Sequence, residues 1–143
     1  MKIYFSCSLT GGRRDEPAYR MIVDQLQAMG HAVLTAHLAH PQVMQEERSV
    51  DPAEVYRRDV NWIEECQALV AEVSTPSHGV GYEIALALQR GKPVLCLHRE
   101  GVPVSKMITG NDSAGLELRG YRQEAEIPAI LQDYLGGLPG TEA

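Results

Sequence analysis

Two carboxylates and one hydroxyl-rich turn are the residues of this chain best suited to chemistry. Glu83 closes the run Pro76-Ser77-His78-Gly79-Val80-Gly81-Tyr82-Glu83. There Gly79 and Gly81 permit close backbone approach, and Ser77 adds a hydroxyl. Free N–H groups in such a turn, at a helix start, form an anion site. A helix expected over residues 81–90 puts Glu83 in its first turn, where the dipole favours the ionised carboxylate. A positioned carboxylate can attack an anomeric carbon. It can also do no more than complement the dipole. Asp59 shares a helical face with Val55, Trp62, Ile63 and Cys66. A carboxylate on an apolar face is costly unless it is paired or used. Burial would raise its pKa and suit it to donate a proton; a salt bridge to Arg58 is the alternative.

The turn Ser6-Cys7-Ser8-Leu9-Thr10-Gly11-Gly12-Arg13 joins hydroxyls, glycines and a guanidinium, all able to meet phosphate oxygens. It matches neither GxGxxG nor a Walker motif, so an ordinary strand-to-helix connection fits it as well. Tyr4 reads as a core aromatic unless its hydroxyl reaches the strand end. His37 and His40 stand three apart with no third ligand, so no metal site is expected.

These residues need a frame, and the chain alternates between strand-like and helical patterns. Strands are expected at 2–6, 31–35, 68–73, 93–97 and 117–121, the last at a sheet edge. The first helix follows Asp15 and carries Tyr19, Ile22, Val23, Leu26 and Met29 on one face, ending at Gly30. Asp51-Pro52-Ala53-Glu54 opens a helix to about residue 66. Further helices are expected at 81–90 and 124–135, with long loops at 36–50 and 99–116. Such alternation implies an α/β fold with a parallel sheet and helices on both faces. Ligands in such sheets sit beyond the carboxyl ends of the strands, where long loops suggest function.

At 143 residues, one domain over 1–135 with a tail at 136–143 is expected. The formal net charge of −6 argues against a nucleic-acid polymer as partner. No apolar run approaches the roughly 18 residues of a membrane span, and Met1-Lys2-Ile3-Tyr4-Phe5 enters a strand without a signal-peptide layout. Cys7, Cys66 and Cys96 form no disulfide framework, so a reducing cytoplasm is expected.

Several motifs in order resemble one family. They include Ser8…Gly11-Gly12-Arg13, Leu34-Thr35…His37, Arg58-Asp59-Val60-Asn61-Trp62 and Ala71-Glu72-Val73…Pro76-Ser77…Gly79-Val80-Gly81-Tyr82-Glu83. Lys92-Pro93-Val94-Leu95-Cys96-Leu97 and Ser105…Met107-Ile108 continue the match. Together they resemble the 2′-deoxynucleoside 5′-monophosphate N-glycosidases of the nucleoside 2-deoxyribosyltransferase superfamily. The resemblance implies a Rossmann-like doubly wound sheet of about five mainly parallel strands. It implies hydrolysis of a deoxynucleotide to base and 2-deoxyribose 5-phosphate, with no cofactor.

By the same resemblance Glu83 is the nucleophile that forms a covalent glycosyl-enzyme, Asp59 assists base departure, and Tyr4 positions nucleophile and sugar. Ser8, Ser77 and the Gly79 amide match phosphate-binding positions, and His37 lines the pocket. Leu9, Gly11, Arg13 and Val55 complete the expected substrate contacts. Ser105 matches a serine given to the neighbouring subunit's phosphate site, so a homodimer is implied. Cys7 and Thr10 replace the family's Gly and Arg in the phosphate turn, where Arg13 is expected to compensate, and Ala36 replaces an acidic neighbour of the histidine. Deoxyribosyl transfer and hydrolysis of a ribonucleotide such as CMP are the nearby alternatives. A non-catalytic nucleotide sensor is disfavoured, because a pure phosphate binder gains nothing from two anions beside its ligand.

Overall fold

A computed structural model describes residues 1–140 of the chain. Five strands form one parallel sheet: β1 (Lys2–Ser6), β2 (Ala32–Val33), β3 (Ala68–Glu72), β4 (Val94–Arg99) and β5 (Leu116–Tyr121). Their order is β2-β1-β3-β4-β5, so the chain reverses direction of winding between β1 and β3. Period-two alternation divides the core between the two faces of the sheet. Ile3, Phe5, Val70, Leu95 and Leu97 pack against α1 (Glu16–Ala28) and α6 (Ile127–Gly136). Tyr4, Leu69, Ala71, Val94 and Cys96 face the other side, under α3 (Pro52–Glu65) and α4 (His78–Gln89).

Five features differ from expectation. The second strand is two residues long instead of five, because the Thr35 hydroxyl takes over the ladder: it accepts from Phe5 N at 2.8 Å and donates to Phe5 O at 2.6 Å. The loop expected at 36–50 contains a 3-10 turn (Ala36–Ala39) and a short helix, α2 (Val43–Arg48). That at 99–116 contains one turn of helix, α5 (Lys106–Thr109). Helix α4 begins at His78 instead of residue 81, since Ser77 Oγ accepts from Val80 N at 3.3 Å and caps it. Part of the segment expected as a tail at 136–143 is structured: Gly136 ends α6 and Leu138 packs on the first core cluster. Positions 141–143 of that tail lie outside the described residues. No helix among the described residues is long and apolar enough to cross a membrane.

Candidate active site

The shift in the start of α4 moves Glu83 out of the first helical turn, which holds no acidic residue. The expected dipole argument for its charge therefore falls. Burial governs it instead. Glu83 Oε2 is sealed from solvent without a hydrogen-bond partner. Desolvation raises its carboxyl to about 7, the Tyr4 hydroxyl opposes that rise, and the charge of Asp59 adds to it. Tyr4 and Ser6 project from β1 toward this carboxylate, yet neither hydroxyl closes to good hydrogen-bond geometry. Tyr4 Oη and Ser6 Oγ are likewise buried and unpaired. Burial, together with the charges of Glu83 and Asp59, pushes the Tyr4 phenol far above its ordinary range, so it remains a donor. Gly79 lies beside the nucleophile candidate: a Cβ there would stand 3.7 Å from Glu83 Oε1.

The turn after β1 is locked to the β3–α4 loop. Ser8 is fully buried, and its Oγ accepts from Gly11 N at 3.2 Å. Gly12 has φ of 102°, a left-handed conformation that suits glycine. Asp15 spends its carboxylate across the gap, accepting from Thr75 Oγ1 at 3.0 Å and pairing with Arg99. Behind the same loop, buried Glu72 accepts from Ser74 N at 2.6 Å and from the Tyr121 hydroxyl. A Cβ on Gly11 would meet Ser8 Oγ and the Thr75 methyl at 2.7 Å and Pro76 O at 3.2 Å. Gly11→Ala is therefore expected to cost about 1–3 kcal/mol. It should also raise KM about tenfold, as a loss of about 1.4 kcal/mol would. Denaturant unfolding beside steady-state kinetics measures both.

Arg13, expected at the phosphate, engages neighbouring groups through Nε and Nη2, while its buried Nη1 has no hydrogen-bond partner. Its Nη2 donates to Leu38 O at 2.9 Å and His40 O at 3.2 Å, its Nε to Glu16 at 3.1 Å, and its carbon sits 5.2 Å over the Tyr19 ring. It fastens the turn to the segment after β2. Thr10 is exposed and Leu9 packs at the edge of the first core cluster.

Asp59 meets both readings of its sequence at once. It accepts from Arg58 Nε at 2.9 Å, and burial still raises its pKa because Arg58 offsets that only in part. Its helix face is less apolar than expected: Ile63 is the one buried residue of α3, with Val55 and Trp62 half-buried. His37 Nε2 lies 2.9 Å from Glu47 Oε1 and its ring 5.9 Å from Trp62.

Glu83 and Asp59 line one cleft of about 240 Å³ with Gly79, Ile63, Tyr56 and Tyr82. The tyrosines form an edge-on pair at its mouth, hydroxyls 3.4 Å apart. Ser77 and Ser105 line a second cleft, of about 360 Å³, that shares the α4 N-terminal segment. Ser105 Oγ there caps α5. Among the described residues, no three His, Cys, Asp or Glu side chains gather as a metal set.

A parallel sheet with two carboxylates converging beyond β1 and β3 narrows the ancestry, and comparison decides it. The nucleoside 2-deoxyribosyltransferase family matches residues 3–126. The chain belongs to that family. A Methanosarcina mazei protein named as a candidate 2′-deoxynucleoside 5′-phosphate N-hydrolase 1 is 42% identical over 95% of this chain and 84% of its own. The 5-hydroxymethyl-dUMP N-hydrolase of Esox lucius is 38% identical over 96% of this chain and 98% of its own. The solved structure of Clostridium botulinum CMP N-glycosidase shares the fold, with a TM-score of 0.73 at 20% identity over 94% of this chain and 99% of that one.

In this nucleoside 2-deoxyribosyltransferase family member, sequence reasoning overlooked Glu47 and Tyr56, and it quoted Ser6 and Tyr82 within motifs without giving either a role. Tyr56 and Tyr82 had a usable signal, standing one helical turn before Asp59 and one residue before Glu83. Glu47 had none, because only the folded path of residues 36–50 brings it to Arg58.

Proposed function

We propose that the chain hydrolyses the N-glycosidic bond of 2′-deoxynucleoside 5′-monophosphates, releasing base and 2-deoxyribose 5-phosphate. One observation carries the reading: Glu83 and Asp59 line a single cleft, with the sealed Tyr4 hydroxyl beside Glu83. The names of the relatives supply the substrate class. Glu83 attacks C1′ as the C–N bond breaks, and the bonding pair leaves with the base, which takes a proton from Asp59. Water then displaces Glu83 from C1′ and returns a proton to Asp59, as in retaining glycosidases. Tyr4 and Ser6, unpaired beside the carboxylate, are the donors that close on it when substrate binds. Ser8, Ser77 and the Gly79 amide serve the phosphate, while Arg13 braces the turn from outside. His37 and Val55 flank the cleft without lining it, His37 through Glu47 and Trp62, and Leu9 lies with the first core cluster.

A chromatographic screen of deoxy- and ribonucleoside monophosphates against their nucleosides tests the substrate. Free base from the deoxynucleotides, with little from nucleosides, is expected. Base exchange outpacing hydrolysis would instead make the protein a transferase. Mass spectrometry of acid-quenched enzyme should find 2-deoxyribose 5-phosphate on the peptide containing Glu83. A homodimer completes the reading, supported by the exposed Tyr56, Tyr82 and Met107 around the two clefts; sedimentation of the native chain and of Ser105→Ala measures it. Three free, buried cysteines suit a reducing cytoplasm.

A further inference from the structure

Asp59 does not have its cation to itself. Arg58 gives Asp59 only Nε, at 2.9 Å. The terminal nitrogens of the same guanidinium reach Glu47, Nη1 to Oε1 at 3.1 Å and Nη2 to Oε2 at 3.3 Å. Glu47 Oε1 also lies 2.9 Å from His37 Nε2. Trp62 backs the assembly, with the Arg58 guanidinium carbon 4.9 Å over its ring. The Glu47 side chain is 13% exposed, so solvent screens these contacts weakly.

A cation shared between two carboxylates fully stabilises the charge of neither. Arg58 paired to Asp59 alone would hold that carboxyl ionised, and an ionised Asp59 has no proton for a departing base. Glu47 takes the bidentate end of the fork, the stronger geometry, and leaves Asp59 a single bond. Its own negative charge disfavours a second one nearby.

We propose that Glu47 is a positioning residue: it diverts Arg58 from Asp59 and so keeps Asp59 able to carry the proton for the leaving base. The proposal rests on Asp59 acting as that donor. The charged and titratable groups facing Asp59 are Arg58 and Tyr56 on its own helix, Glu47 from α2, His37 from the 3-10 turn, Tyr4 from β1, and Tyr82 and Glu83 from α4. Burial is the largest influence on Asp59 and raises its pKa; Arg58 opposes that rise and Glu47 adds to it. Glu47 itself stays ionised: burial works against its charge, but the bonds from Arg58 and His37 outweigh it and hold the carboxyl below its ordinary range.

The test pairs two substitutions of opposite sign, read by ¹³C NMR titration of the Asp59 carboxyl and by pH–rate profiles. In Glu47→Gln, Asp59 should titrate lower by about half a unit or more. Its kcat should fall about three- to tenfold with KM within about twofold, and one limb of the rate profile should move to lower pH. In Arg58→Gln the carboxyl should titrate higher, and Glu47→Asp should recover most of the native titration. Loosened packing alone would not move Asp59 in opposite directions. An unchanged Asp59 titration in Glu47→Gln overturns the proposal. Native rates in Asp59→Asn would instead remove the donor role beneath it, an outcome distinguishable because the titration is read independently of turnover.

Discussion

Glu83→Gln is expected to lower turnover by at least about 10⁴-fold and, at pH 8, to leave a more stable protein. The rate effect follows from losing the only group placed to form a bond to C1′ in the proposed mechanism. An amide of the same shape keeps the cleft and supplies no nucleophile. The stability effect follows from linkage. Burial raises the Glu83 carboxyl from its ordinary 4.5 to about 7, so the folded state holds its proton more tightly than the unfolded chain. That contribution is fully present below about pH 4.5 and is lost as pH rises through about 7. Above both values, the ionised residue costs about 3 kcal/mol. Glutamine never ionises and escapes that cost. Thermal melts of both proteins should coincide more closely at pH 5 and separate at pH 8, with the variant higher. Equal melting temperatures at pH 8 would mean that Glu83 is not strained by its charge. The same pKa sets an acid limb near pH 7 in the native rate profile, since only the ionised carboxylate attacks.

The parts of the fold visible in sequence were those whose burial is continuous. β3 and β4 read as strands because apolar runs bounded by turn residues are the mark of central parallel strands. On β1 the period-two alternation sets Tyr4 on the face opposite Ile3 and Phe5. What stayed hidden was set by single side chains or by length. The Thr35 hydroxyl ends β2 by imitating a ladder bond, which no periodicity records. At six residues and four, α2 and α5 are too short to show a helical period. Gly79 looked like loop and Gly81 like the start of the helix, although the Ser77 cap draws both into α4 behind His78. That misplacement reached the chemistry: it made the dipole seem the source of the Glu83 charge state, where burial is. Topology foretold that loops after β1 and β3 would converge, and Gly11 packed against Thr75 and Pro76 is that convergence. It could not foretell which donors were already engaged, as Nε and Nη2 of Arg13 are by Glu16, Leu38 and His40 while its buried Nη1 has no partner.

Asp59→Asn is expected to lower kcat by about 10²–10³-fold, the range for losing a positioned general acid. Asparagine can still donate a hydrogen bond to the base but cannot release a proton, so the substitution separates the two ways Asp59 could help. The loss should shrink as the base becomes a better leaving group, because a base that departs easily as an anion needs no proton. A series of deoxynucleotides with graded base acidity measures this; a constant loss across the series would assign Asp59 to binding alone. A second consequence follows from charge. Asp59 adds to the rise of the Glu83 carboxyl. Neutralising it should therefore move the Glu83 limb of the rate profile to lower pH while the maximum falls. Arg58, freed of one carboxylate, can turn wholly to Glu47, from which it is already 3.1 Å. An acidward limb and a lowered plateau appearing together would tie both carboxylates to one reaction. Two independent structural defects would not couple them in that direction.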